Sequence, residues 1–445
     1  MSEKKKGRLR LKELVFFSIM QVVCIILYGT CTTYGQDVTS SGNVAKNTIQ
    51  NYYPMFQDVH VMIFIGFGFL MTFLKYHSWS SVMFNFFVAT WAIEWGILNV
   101  AFFHSVFGNH WSKVPLDVTY LIEGDFAAGA VLISFGAVLG KVNSFQLLIM
   151  ATIEIICYAC NVGLAQKEFK SVDMGGSMLV HTFGAFFGMA CAYAMGPKDI
   201  QKKNLNIGAN YNSNMFAAIG TLFLFMFWPS FNGALATGNS QHRVVVNTVL
   251  ALSASTMGAF FTSALVNKGQ FKMEDCLNAT LTGGVIIGSS SDLVAAAWLS
   301  ILIGWIGGTI STLGFSYVTG ALANCGLHDT CGVTNLHGFP GIVGALIGAI
   351  SAGAASKEVY GDNINDIFPA MKDGRTQSEQ AGFQLACLAS TLGISIVGGL
   401  ITGAIIKCEF FEGPKPEHCF DDEMYWVMEA EEEPVDKILT KHHIE

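Results

Sequence analysis

Charge is what this 445-residue sequence lacks: Asp, Glu, Lys and Arg make up 13% of it, about half the share of an ordinary soluble domain. So little charge excludes a two- or three-domain water-soluble protein. The 52% of hydrophobic residues excludes a disordered chain. Paired cysteine motifs are missing too. The 11 cysteines are odd in number and scattered, and the one Cys-x-x-Cys pair, Cys157 and Cys160, has no second pair or nearby His at zinc spacing. They read as small buried hydrophobes, and no metal or cofactor is implied. No nucleophile–base arrangement or phosphate loop suggests an enzyme. The apolar run from Leu14 to Tyr34 ends in no clear small-x-small site, so a cleavable signal peptide is not expected. The net charge of −8 gives no nucleic-acid surface, because it is uneven: the first twelve residues are basic and the last forty acidic.

What is present is enough apolar sequence for about a dozen membrane spans of roughly 20 residues each, and the mean hydropathy is +0.45. Twelve are expected: 14–34, 59–74, 81–103, 117–140, 145–165, 176–195, 213–233, 245–266, 276–297, 298–319, 331–353 and 380–406. An even number puts both termini on one side. Counting Lys and Arg by side gives 17 against 8, with the termini on the richer side, so both termini are expected to be cytoplasmic. Small residues such as Gly398, Gly399, Gly403 and Ala404 suit close helix packing in lipid.

The sequence also repeats itself at an offset near 155 residues. Ile65–Leu70 resembles Ile219–Leu224, and Gly129–Ile133 resembles Gly283–Ile287. Asp173–Gly188 and Asp329–Gly344 both fit D-x-x-G-x-x-x-[VL]-H-x-F-x-[AG]-x-x-G. Each unit holds five spans, and copies with an odd span count must sit in opposite orientations. The expected fold is therefore an all-α integral membrane protein. It has two inverted five-helix repeats, 59–195 and 213–353, a leading helix at 14–34 and a trailing helix at 380–406. A basic N-terminal segment, 1–13, and an acidic tail, 407–445, flank them. Such folds carry a substrate path between their halves.

Each repeat places one histidine, His181 or His337, on its fifth helix. Ionisable groups inside a span are costly and mark pathways. Two facing imidazoles offer one donor and one bare nitrogen, which suits a small molecule that both donates and accepts hydrogen bonds. They suit a hydrated cation poorly, since no carbonyl cage or carboxylate ring replaces its water. Ammonia meets these demands, with ammonium stripped of its proton on the way in. Asp173 and Asp329, eight residues before the histidines, are expected near helix starts, as caps or as an electrostatic bias at the pore mouth. Glu94, Glu123, Asp125, Glu154 and Asp292 are read as structural hydrogen-bonding groups, with a proton relay as the rival reading.

At this point the residues resemble a family. The strings around His181 and His337 are similar to the two signatures of the Rh glycoprotein branch of the ammonium transporter superfamily. So are Phe56-Gln-Asp-Val-His-Val-Met-Ile-Phe64, Gln146–Met150, Trp228-Pro-Ser-Phe-Asn232 and Cys419–Trp426. The resemblance covers nearly the whole chain, and the leading helix favours the Rh branch. It implies an eleven-helix pore bundle plus that helix, assembled as a homotrimer in the plasma membrane. His181 and His337 correspond to the family's twin pore histidines, and Phe126 and Phe231 to its two phenylalanine gates. Asn232 and Asn335, beside pore positions, are expected to line the path. Two departures stand out. Many animal relatives carry an acid after the Asn corresponding to Asn161, whereas Val162 follows here. The loop 35–58 has no glycosylation sequon, and the one at Asn278 opens an apolar span.

The resemblance implies ammonia or ammonium as cargo, with methylammonium or carbon dioxide as others on the same fold. Net ammonium-ion conduction and a non-conducting scaffold or ammonium sensor are the rivals. The acidic tail, with Tyr425 and Trp426, is read three ways: docked under the bundle, bound to a cytosolic partner, or solvated.

Overall fold

The computed structural model describes residues 11–196, 200 and 204–427. Expectations resting on Lys4 to Arg10, on Lys198, Lys202 and Lys203, and on the stretch 428–445 lie outside the described residues. Among the described residues eleven helices are long and apolar enough to cross a membrane. They are α1 Leu11–Cys31, α2 Ile49–Phe73, α3 Ser78–Gly108, α4 Val118–Val138, α5 Ser144–Glu168, α6 Ser177–Met195, α7 Tyr211–Gly233 and α8 Gly238–Val266, then, after an interrupted run at 273–290 numbered α9, α10 Ala297–Asn324, α11 Thr334–Ala354 and α12 Gln377–Ile406.

The twelfth expected span, 276–297, is this α9. It is shorter and broken: helices Met273–Asn278 and Thr282–Ile287 are each followed by a 3₁₀ turn, Ala279–Leu281 and Gly288–Ser290. Its Thr, Ser and Gly residues are weak helix formers, and it holds its place by burial, with Thr282 to Val294 all buried. Three boundaries also differ. The leading helix stops at Cys31, because Thr32–Tyr34 pairs as a parallel strand with Val114–Leu116. Helix α2 begins ten residues before the expected 59, and α8 begins at Gly238 rather than 245. The added turns are too polar to read as membrane spans, and α2 is held there by packing on α4 and α7.

The repeat recurs in the packing. Helix α3 lies against α4 and α5 as α8 lies against α9 and α10. A wide π-turn closes α5 at Leu164–Glu168 and another interrupts α10 at Gly314–Val318, and others open α6 at Ser177–Thr182 and α11 at Thr334–Gly338. The loops before α6 and α11 cross to the other half in reciprocal fashion. Gly175 N–H donates to Gly288 O of α9 at 3.0 Å, and Cys331 N–H donates to Gly136 O of α4 at 3.2 Å. Gly176 and Gly332 hold matching left-handed turns, φ 72° and 68°, where a side chain would be strained.

Loops and termini sort into two faces. On one, Lys12 pairs with Glu412 at 2.9 Å, so the start of α1 and the segment after α12 meet. The tail continues across this face. Phe420 N–H donates to Gly140 O at 2.8 Å, Asp422 accepts from the N–H groups of Trp79 and Ser80 at 2.9 and 2.8 Å, and Trp426 Nε1 donates to Ser80 Oγ at 2.9 Å. Asp422 thereby caps α3 from 343 residues away in sequence. Of the three readings of the tail, its described part takes the docked one.

Candidate functional site

The two π-turns that open α6 and α11 carry His181 and His337 to the centre of the bundle, 1% and 3% exposed. π-turns concentrate at functional sites, because the extra residue re-aims side chains that a regular helix would turn away. Each turn is seeded by its aspartate. Asp173 accepts from the N–H groups of Met178 and Leu179 at 3.0 and 2.7 Å, and from Ser289 Oγ of the other half. Asp329 accepts from Val333 N–H at 3.1 Å, from Thr334 N–H at 2.9 Å and from Thr334 Oγ1 at 2.7 Å. Both therefore take the capping alternative. Asp173 also borders the cavity beside Phe126 and Phe231 described below, and burial pushes its carboxyl up to about 6 against the pull of those bonds.

The histidine rings lie nearly parallel, 15° apart with centroids at 5.2 Å, and their Nδ1 atoms are 3.2 Å apart. At that distance one Nδ1 donates and the other accepts. His181 Nε2 is buried with no hydrogen-bond partner. The pair continues an aromatic column. Phe126 and Phe231 meet at 4.8 Å, His181 lies 5.7 Å from Phe231 and 5.6 Å from Trp228, and Phe67 stacks on His337 at 6.2 Å.

Cavities open at both ends of this column. One, of about 540 Å³, is lined by Phe126 and Phe231 with Glu123, Tyr158, Val162, Gln166 and Asp173. The other, of about 360 Å³, is lined by His337 with Phe67, Leu132, Cys331, Val333 and Leu336. The rings of Phe126, Phe231, His181 and His337 separate them.

The structure thus brings together His181, His337, Phe126 and Phe231. Asn232 and Asn335 sit differently. Asn232 Nδ2 donates to Thr248 Oγ1 and Gly284 O, both at 3.1 Å, and Asn335 Nδ2 donates to Thr319 Oγ1 at 2.8 Å. Both are buried and neither is among the residues that line the two cavities; their Nδ2 atoms tie helices together, while the Oδ1 of each has no hydrogen-bond partner.

Two participants were not singled out from sequence. Trp228 stacks on His181, and its spacing from Phe231, three residues along one helix face, was the available signal. Glu123 was grouped with the structural carboxylates, and most of those are bonded: Glu94 to Gln21 at 2.9 Å, Glu154 to Ser134 at 2.5 Å, Asp125 to His60 at 3.0 Å. Glu123 differs in that it borders the cavity beside Phe126 and Phe231; its buried Oε2, like Glu154 Oε2 and Asp292 Oδ1, has no partner. Among the described residues no cluster of three or more His, Cys, Asp or Glu side chains is arranged to hold a metal ion.

Comparison with known proteins agrees with this architecture. The profile of the Ammonium Transporter Family matches residues 16–411. The chain is 42% identical to the zebrafish (Danio rerio) ammonium transporter Rh type B, covering 100% of this chain and 99% of that protein. It is 40% identical to the Xenopus tropicalis ammonium transporter Rh type C, covering 96% and 94%. Among solved structures, Nitrosomonas europaea Rh50 superposes with a TM-score of 0.72 at 29% identity, over 88% of this chain and 95% of that one. Saccharomyces cerevisiae Mep2, at 16% identity and a TM-score of 0.63 over 86% and 92% of the two chains, shares the fold.

Proposed function

The chain belongs to the ammonium transporter family, and from that premise we propose that it is an Rh-type channel conducting ammonia, with ammonium deprotonated at the outer mouth. One observation carries the reading: the Nδ1-to-Nδ1 contact of His181 and His337 at 3.2 Å. Because one ring donates and the other accepts, the two Nε2 atoms differ. One is a bare acceptor and the other an N–H donor. Ammonia can donate to the first and accept from the second. Carbon dioxide, which donates no hydrogen bond, uses half of this arrangement. An ammonium ion finds no carboxylate or carbonyl ring to replace its water, and the Phe126–Phe231 pair makes its desolvation costly. Phe126 and Phe231 act as the gate. Asp173 and Asp329 hold the turns that aim the histidines.

The finer assignments follow the same reading. The Lys and Arg excess of 17 against 8 supports cytoplasmic termini. We assign the protein to the plasma membrane as a homotrimer with one pore per subunit, which fits a path formed within a single chain. The acidic tail beyond its docked part is a site for a cytosolic partner.

Stopped-flow measurement of lumenal pH in proteoliposomes tests the proposal. An inward ammonium gradient should alkalinise the lumen rapidly. A current proportional to ammonium would favour net ion conduction, and behaviour identical to empty vesicles would favour the scaffold reading.

A further inference from the structure

Asp58 and His60 stand out in α2 because each reaches a different partner helix next to a gate residue. Ser230, the residue before Phe231, donates its Oγ proton to Asp58 Oδ2 at 2.5 Å. Asp125, the residue before Phe126, lies with Oδ1 and Oδ2 at 3.0 and 3.1 Å from His60 Nδ1. Residues two apart on a helix point to different sides. One turn of α2 therefore grips α7 with one prong and α4 with the other. Asp125 is fully buried and Ser230 8% exposed, while Asp58 and His60 are half-buried, so losing either bond leaves one buried polar group unmet, which is costly. The His60 ring is fixed in turn between Phe56 and Phe64, at 5.0 and 4.7 Å. A π-turn at Met62–Gly66 follows at once, its Ile63 carbonyl taken by Asn85 Nδ2 at 3.0 Å, which anchors α2 to α3 below the prongs. Neither Asp58 nor His60 borders either cavity.

We propose that Asp58 and His60 form a two-pronged clamp that sets the spacing of Phe126 and Phe231, and with it the size of cargo that the constriction passes. The clamp acts through the rings and touches no cargo, so its residues are positioning residues. The proposal rests on the reading of the ring pair as a gate.

The readout is the ratio of methylammonium to ammonium flux in proteoliposomes, since a looser ring pair favours the larger cargo. Asp58→Ala and His60→Ala should each raise the ratio roughly threefold to tenfold, the scale of one lost buried hydrogen bond. Asp58→Asn, which keeps an acceptor for Ser230, and His60→Gln, which keeps a donor for Asp125, should stay within about twofold of the parent. Ser230→Ala removes the first prong from its other end and serves if Asp58→Ala does not fold. Combined with Asp58→Ala, it should add nothing. Phe126→Ala with Phe231→Ala tests the gate itself: if the ratio does not move, the gate reading fails and the clamp with it. If that variant raises the ratio while the folded alanine variants at 58, 60 and 230 do not, the gate stands and the clamp is overturned. Equal changes in the alanine and the Asn or Gln variants would also overturn it.

Discussion

Two imidazoles joined through their Nδ1 atoms must adopt opposite tautomers, and that constraint gives the site its direction. His181→Ala removes the partner of His337 Nδ1 and one of the two Nε2 atoms that we propose meet the cargo. Ammonia flux in proteoliposomes is expected to fall by about tenfold or more, the value of roughly one charge-free hydrogen bond plus the lost pre-organisation. Unchanged flux would end the pore assignment. Glu123 is a second residue-scale case. Its unpartnered Oε2 places a carboxyl group in the cavity beside Phe126 and Phe231. Glu123→Gln should raise the half-saturating ammonium concentration roughly threefold to tenfold, with the maximal rate within about twofold, because a mouth charge concentrates cations without entering the chemical step. A loss of thermal stability with unchanged half-saturation would make Glu123 a packing group instead. The histidines were legible because repetition singled them out of 11 in the chain. With 35 phenylalanines, Phe126 and Phe231 could be selected only by resemblance. The helix-to-helix hydrogen bonds of Asn232 and Asn335 were not legible, because adjacency along a chain does not say which way a carboxamide turns.

At the scale of elements, close helix approach depends on glycine at crossing points. A Cβ on Gly304 would overlap the Ala251 carbonyl of α8, and one on Gly308 would overlap that of Ser255. Gly320, on the same helix α10, has open space around its Cβ position. Gly304→Ala should therefore cost about 1–3 kcal/mol, the usual penalty of overpacking, and Gly320→Ala should be neutral or slightly favourable. Thermal unfolding followed by size-exclusion chromatography in detergent separates the two, and equal shifts would contradict the packing argument. Eleven of the twelve runs were readable as spans because their hydropathy is continuous. The early start of α2 and the breaks in α9 were not, since both are set by neighbouring helices rather than by local composition.

At the scale of the whole molecule, the tail segment 409–427 closes one face over two buried histidines. His77 lies 3.7 Å from Asp422, and burial pushes it down to about 3; His328 stacks edge-on to Phe420 at 6.2 Å, and burial, with Lys141 beside it, pushes it down to about 3 as well. A histidine whose docked pKa is depressed binds fewer protons docked than free. Docking is thus fully stable above about 6.5 and weakens as pH falls below that value towards 3. Asp422 opposes this, since burial raises its carboxyl and protonation then favours the docked form, but its shift is the smaller. Lys141, lowered to about 8 by burial, stays charged throughout the range. Protease cleavage within the tail should be faster at about pH 5, inside the window, than at about pH 7.5, above it. His77→Phe, which cannot be protonated, should flatten the dependence, and a pH-independent rate would refute the docking account. Trp426→Ala, which removes the bond to Ser80, should speed cleavage at both pH values.

The sequence by itself determined the solvent, eleven of the twelve expected spans and the two histidines. Hydropathy is a local property, and a repeat is visible without any folding. The tertiary structure decided the tautomeric pairing of the histidines, the aromatic column, the return of the tail to cap α3, and the hydrogen bonds of α2 beside Phe126 and Phe231. Each of these joins residues tens to hundreds of positions apart, and the chain acquires such contacts only when the two halves pack face to face.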